Sequence, residues 1–274
     1  MIISEKNGQT VSPFAEQLLA LTPSLLPLAE SLEEAATGDM PVLLTGPPGT
    51  GKARLARLLH QFSPRGENSF VEVRCGALAP NSHQGVLFGQ VQDASEGTDR
   101  IRAGRLEAAS MGTLLLKDLD ALPLEAQTEL VHVIQTGVYE PIDSEEIRFS
   151  RARLIATVQS DIEQDGVKSR LCRELHSCFS RLTFYLPPLS QRHIDIEPLA
   201  WAIVIDSAKL FHKRPPILIQ ETLQVLQSFP WPGNIRQLEA SIQHAVLVSS
   251  GDELRVEHLP PALREFSGGI KPRR

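Results

Sequence analysis

"PVLLTGPPGTGKARLARLLHQFS", Pro41 to Ser63, is the stretch on which the reading of this chain turns. "PVLLTG" is a short apolar run of the kind a buried parallel strand shows. "GPPGTGK" (Gly46, Pro47, Pro48, Gly49, Thr50, Gly51, Lys52) satisfies the G-x-x-x-x-G-K pattern. The residues after it repeat leucine and alanine at helical spacing. Strand, glycine loop and helix in that order is the context that gives the motif its chemistry. Glycines let the backbone wrap an anion so that several N–H groups point inward, and Lys52 adds a positive charge. The segment is predicted to bind the phosphates of a nucleotide. Ala53 stands where a Ser or Thr hydroxyl commonly helps to hold magnesium.

Working outward, "SFVEVRCG", "GTLLLKDL", "ARLIATVQ" and "LTFYLPPL" read as four further strands. "SLLPLAESLEEAATG", "LPLEAQTELVHVIQTG" and "KSRLCRELHSCF" read as helices, the first stopped at Gly38. Strands alternating with helices of this length imply a mainly parallel sheet covered on both faces. From about Gln191 the pattern becomes purely helical. The expected organisation is an N-terminal extension (1–22), an α/β nucleotide-binding domain (23–190), a small all-α lid (191–264) and a loose tail (265–274).

A chain of 274 residues, 42% hydrophobic and 22% charged, has the composition of a soluble globular protein. No run is long and apolar enough to cross a bilayer, and no signal-peptide core opens the chain, so a cytoplasmic protein is expected. Three cysteines make no disulfide framework. A net charge of -6 argues against a DNA-coating surface, and no helix-turn-helix follows the helical segment, so no DNA-binding domain is expected in this chain. The histidines show no metal-ligand spacing, and there is neither a G-x-S-x-G motif nor an internal repeat.

Several stretches together resemble the AAA+ module of bacterial enhancer-binding proteins, the ATPases that activate transcription by sigma-54 RNA polymerase. They are "GPPGTGKARLARLLHQFS", "FVEVRCGAL", "LFG", "GRLEAASMGTLLL", "LPPL", "DIEPLA" and "WPGNIRQLE", spread from about Ser24 to Arg264. The resemblance implies an AAA+ P-loop domain, a helical lid, and hexameric rings holding ATP or ADP between subunits. That family also lacks the loop hydroxyl, so Ala53 is no departure from it. Arg236 matches the family's lid arginine that reaches the γ-phosphate; the alternative is a salt bridge on the lid helix.

The same resemblance exposes losses. The family ends its third strand in Asp-Glu, for magnesium and for polarising water; here Lys117 and Asp118 stand there. A register slip that gave Asp118 the first role would turn Leu114 and Leu116 to the wrong face. Lys117 is either a built-in counter-ion to the phosphates, making magnesium dispensable, or a surface lysine paired with Asp118 or Asp120. The two family arginines that reach a neighbour's ATP fall on Cys172 and Cys178, while Arg173 and Arg181 lie close in sequence. An arginine of that kind is worth on the order of 10³–10⁵ in rate. The polar sensor after the fourth strand is Gln159. "DASEGT", Asp93 to Thr98, replaces the family's apolar sigma-contacting loop, with Ser95 at the aromatic's place, which argues against direct sigma-54 contact. Asp118 and Gln159 remain the candidate catalytic groups. Three functions follow: an ATP-binding regulator that hydrolyses slowly or not at all, acting by joining related subunits in a mixed or homo-oligomeric ring or by binding a regulatory partner; a working ATPase coupled to sigma-54 transcription, using Asp118 and a nearby arginine; and a nucleotide-free scaffold.

Overall fold

The computed structural model describes residues 12–79, 82–92, 100–159 and 170–267. They fall into two units, one of Leu32–Pro47 and Gly51–Leu186, the other of the described parts of Met1–Ser31, Pro48–Thr50 and Pro187–Arg274.

In the first unit the strands, in chain order, are β1 (Val42–Thr45), β2 (Phe70–Arg74), β3 (Gly89–Gln92), β4 (Arg100–Ala103), β5 (Thr113–Lys117), β6 (Val138–Tyr139), β7 (Arg148–Phe149), β8 (Arg153–Thr157) and β9 (Thr183–Tyr185). Five of them form one parallel sheet in the order β2-β5-β8-β1-β9. All four residues of β1 are buried, as expected of an apolar strand with a neighbour on each side and both faces covered. One face packs Val73, Leu114, Leu116, Leu154 and Ala156 against Leu130 and Val133 of the helix Leu124–Thr136 and Phe179 of the helix Arg173–Phe179. Burying one such leucine contributes about 1.5–3 kcal/mol. Leu114 and Leu116 therefore keep the register expected of them. The helix Lys52–Gln61 buries Leu55, Ala56 and Leu59. It starts directly after the loop that leaves β1, the strand at which the chain order reverses; the carboxyl ends of such strands are where open α/β sheets bind ligands.

Alternation along β2 and β5 puts Phe70, Glu72 and Arg74 opposite in face to Val73, and Thr113, Leu115 and Lys117 opposite to Leu114. His60 marks that second face: its Nδ1 lies 2.9 Å from Thr113 Oγ1, and the residue is 4% exposed. Burial, more than the charges of Arg57 and Arg153, lowers the His60 pKa. A histidine held neutral in the fold gives its full stability above its unfolded pKa of about 6.5 and loses it as pH falls toward the folded value. The wild type is expected to lose urea stability between pH 7 and 5 more steeply than His60→Gln. Equal slopes would remove His60 as the cause.

The second unit has its own core. The helices His193–Leu210, Gln220–Ser228, Asn234–Val248 and Pro261–Ser267 enclose Ile196, Leu199, Leu226, Trp231, Leu238 and Ile242. Trp231 is 1% exposed and donates its indole N–H to Leu226 O at 2.7 Å. A short parallel pair, β10 (Ile217–Leu218) with β11 (Glu253–Leu254), was not expected from a stretch read as helical only.

Residues through Ser31 group with the helical unit rather than the α/β unit, because Asp195 accepts from both Ser24 N at 2.8 Å and Ser24 Oγ at 2.6 Å. A helix Pro13–Leu19, with Ser12 Oγ accepting from Ala15 N, occupies part of the expected extension. The final helix runs past residue 265 to Ser267, where Phe266 stacks edge-on against Phe229 with centroids 5.2 Å apart. The antiparallel hairpins β3–β4 and β6–β7 went unpredicted as well.

Candidate nucleotide site

The phosphate loop needs its glycines. Gly46 has φ +130°, and a Cβ there would lie 2.3 Å from the backbone oxygen of Leu186. Gly49 has φ +81°, and its Cβ would lie 2.5 Å from Gly233 O. Gly51, at φ 100°, is the N-cap of the helix Lys52–Gln61. Lys52 is 8% exposed, and its Nζ donates to Gly46 O at 2.5 Å and Pro47 O at 2.8 Å. A buried ammonium needs oxygen partners, and the loop supplies them. Ala53 follows, half-buried.

Pro48–Thr50 belongs to the helical unit, and its carbonyls are engaged there. Asn234 Nδ2 donates to Pro48 O at 2.8 Å, Ile235 N to Gly49 O at 2.9 Å, and Arg192 Nη2 to Thr50 O at 2.9 Å. A Cβ built on Gly49 would sit 3.4 Å from Arg236 Cβ, so Arg236 begins beside the loop. Its side chain is exposed and joins no ion pair among the described residues. The salt-bridge alternative for it is therefore not realised.

At the carboxyl end of β5, Lys117 Nζ donates to Glu72 Oε2 at 2.6 Å. Neither Asp118 nor Asp120, the partners expected from sequence, holds it. The reason is register: Arg74 lies opposite Lys117, so Glu72, two residues earlier, shares its face. Glu72 also binds Arg57, whose guanidinium covers the Phe70 ring at 4.6 Å. Burial raises the Glu72 pKa, but the hydrogen bonds and charges of Lys117 and Arg57 outweigh it, leaving the carboxyl below its ordinary value. The pair is 23% and 28% exposed, so it contributes about 1 kcal/mol or less.

Asp118 turns out of the strand at φ 58°, ψ 54°, with its N–H on Thr157 Oγ1 at 3.2 Å. Gln159 Nε2 donates to Asp118 Oδ1 at 2.8 Å, so the two candidate catalytic groups meet. Asp120, which the sequence reading used only as a possible lysine partner, has a buried Oδ1 with no hydrogen bond among the described residues. Its pKa is raised, by burial first and then by Asp118, against the pull of Arg170 and Lys52. Cys75 beside them is inert, its thiol pushed up to about 12 by burial and by both aspartates. The end of β5 suits magnesium poorly, since Lys117 offers an ammonium where a carboxylate would hold the ion. Among the described residues no three His, Cys, Asp or Glu converge.

The sigma-54 interaction domain family matches residues 18–185, and the AAA+ ATPase lid domain matches residues 190–272. The chain belongs to the sigma-54 interaction domain family. Regulatory protein LuxO of Vibrio cholerae is 30% identical over 240 residues, 88% of this chain and 53% of that protein. The hydrogenase transcriptional regulatory protein HoxA of Cupriavidus necator is 31% identical over 256 residues, 93% of this chain and 53% of that protein. The chain thus spans about half the length of these curated relatives. The crystal structure of NtrX from Brucella abortus, a complex with ADP, superposes with a TM-score of 0.78 at 24% identity, covering 94% of this chain and 55% of that one, which shows the fold.

In this sigma-54 interaction domain the stretch that carries Cys172 and Cys178 differs from the sequence reading in one respect. Cys172 is not helical; it precedes the helix Arg173–Phe179 in extended conformation, its N–H held by Gln127 Oε1 at 2.8 Å. Both Cys172 and Cys178 are free thiols packed against the first core. Arg173 and Arg181 are exposed and join no ion pair among the described residues. The stretch read as the sigma-contacting loop, Asp93 to Thr98, lies outside the described residues; β3 and β4 flank it. No helix of the described residues is long and apolar enough to cross a membrane.

Proposed function

We propose that this chain binds ATP or ADP at its phosphate loop, hydrolyses slowly or not at all, and regulates transcription through nucleotide-dependent contacts with a second AAA+ subunit. The observation that carries the reading is the contrast within one site. Lys52 and the glycines of the loop keep the residue types and backbone that phosphate binding asks for, while the end of β5 carries an ammonium in an ion pair with Glu72. Support also comes from the relatives, whose names mark them as regulators, and from NtrX, of the same fold, whose structure is a complex with ADP.

A second reading, a working ATPase, is favoured by one specific contact: Asp118 and Gln159 meet at 2.8 Å where a water-polarising carboxylate is expected. Asp118 is one methylene shorter than glutamate, and a displacement of that order costs roughly a hundredfold. Calorimetry with ATP, with and without magnesium, and phosphate release in the same samples separates the readings. The expected result is binding that changes less than about threefold on chelation, with turnover far below the usual roughly 1–10³ s⁻¹. Turnover in that range would establish the ATPase instead. Lys117 can act as counter-ion only by leaving Glu72. Glu72→Gln, which weakens the pair, is therefore expected to tighten ATP binding in chelator by about three- to tenfold. No change would confine Lys117 to the ion pair.

A further inference from the structure

We infer that Arg192 and Asn234 are positioning residues for the phosphate loop, setting the direction in which its peptide groups face. The inference rests on the nucleotide-binding reading and adds to it two residues that touch no phosphate themselves.

Every carbonyl from Gly46 to Thr50 has a donor. Lys52 takes Gly46 and Pro47; Asn234, Ile235 and Arg192 take Pro48, Gly49 and Thr50 in turn. A trans peptide is planar, so its C=O and the following N–H point in opposite directions. Holding the carbonyls of Pro48, Gly49 and Thr50 turns the N–H groups of Gly49, Thr50 and Gly51 to the opposite side. Positive φ at Gly49 and Gly51, with Thr50 between them at negative φ, is the alternation that makes successive N–H groups converge on an anion. These are also the loop's first useful donors, because Pro47 and Pro48 have no N–H.

Neither side chain is explained by packing alone. Arg192 is 1% exposed, and its Nε and Nη1 have no hydrogen-bond partner among the described residues. Its charge faces Asp195, fully buried, at 3.5 Å. A guanidinium buried with two groups unsatisfied is costly, and an apolar residue would fill the space better. What an apolar residue could not do is hold Thr50 O. Asn234 is 2% exposed and sits at φ 53°. Its Oδ1 accepts from Leu189 N at 2.7 Å, which leaves its Nδ2 facing Pro48 O. Gly49 O is held by a backbone N–H, so the two side chains supply the replaceable part of the device.

The test uses Asn234→Asp and Arg192→Lys, with inorganic pyrophosphate, ADP and adenosine as probes and thermal unfolding alongside. Asn234→Asp keeps the acceptor for Leu189 N and a residue tolerant of positive φ, but faces Pro48 O with an oxygen instead of a donor. Arg192→Lys keeps the charge beside Asp195 and loses the forked geometry. Pyrophosphate and ADP affinity are expected to fall about tenfold or more in Asn234→Asp, and less in Arg192→Lys, with adenosine affinity nearly unchanged; Tm falls in Asn234→Asp, where a buried carboxylate meets Pro48 O, and less in Arg192→Lys. A fall in adenosine affinity equal to that for pyrophosphate and ADP would make these residues mere structural supports and overturn the inference. So would unchanged pyrophosphate and ADP affinity in both variants. If the wild type bound neither pyrophosphate nor ADP, the nucleotide-binding reading itself would fall, and the inference with it.

Discussion

Replacing Lys52 by methionine is expected to raise the dissociation constant for ATP at least about a hundredfold while the protein stays folded. Charge-assisted hydrogen bonds are worth about 1.5–3 kcal/mol each, and an ammonium between two phosphates makes two. Together that is about 3 kcal/mol at the least, or two powers of ten in affinity. Methionine fills a similar volume, so the 8% exposed site is not emptied. On the proposed reading, in which Lys117 stands in place of a metal-holding carboxylate, the loss should be larger here than in a loop that relies on magnesium. Calorimetry checks the affinity and circular dichroism the fold. An affinity within threefold of wild type would show that phosphate is not held by this loop.

Lys52 also stabilises the charged form of Asp120. In Lys52→Met, Asp120 would be left with burial and Asp118 pushing its pKa upward, opposed by its backbone hydrogen bond and by Arg170. The substitution thus changes more than one contact, and the phosphate-binding and acidic halves of the site are coupled through charge even without nucleotide.

The strand–loop–helix of the phosphate loop was legible because its signals are local. An apolar run, glycines where the backbone must take positive φ, and helical spacing after them all lie within Pro41 to Ser63. The parallel sheet followed from the alternation of such units. The hairpin β6–β7 was not legible: its strands are two residues long, and Phe149 is 72% exposed, so no periodicity could accumulate. Lys117 shows a different limit. Its nearest acids in sequence are Asp118 and Asp120, yet its partner is Glu72, brought alongside only by the pairing of β2 with β5. Arg192 and Asn234 were missed for the same reason, since their partners are carbonyls of a loop far away in sequence. A signal did exist for Asn234: a Pro-Gly-Asn turn entering a helix invites an asparagine at positive φ. Arg192 carried none, because nothing in composition distinguishes a buried arginine from an exposed one.

Gly46→Ala is expected to cost about 2–6 kcal/mol of folding stability and to abolish nucleotide binding in whatever remains folded. Two penalties combine. At φ +130° any side chain is strained, by about 1–3 kcal/mol. The new Cβ would also lie 2.3 Å from Leu186 O, a backbone atom fixed by the sheet through Leu186 N on Thr45 O at 2.9 Å. Overpacking against a group that cannot rotate away costs about 1–3 kcal/mol. Relief requires β9 or the loop to move, and a moved loop withdraws Gly46 O and Pro47 O from Lys52. Stability and binding should therefore fall together, unlike in Lys52→Met, where binding falls alone. Gly251→Ala is the control, since nothing lies within 4 Å of a Cβ built there. If urea titration gave Gly46→Ala and Gly251→Ala the same midpoint, the close approach of β9 to the loop would not exist in solution, and the argument from Gly46 to Lys52 would fail at its first step.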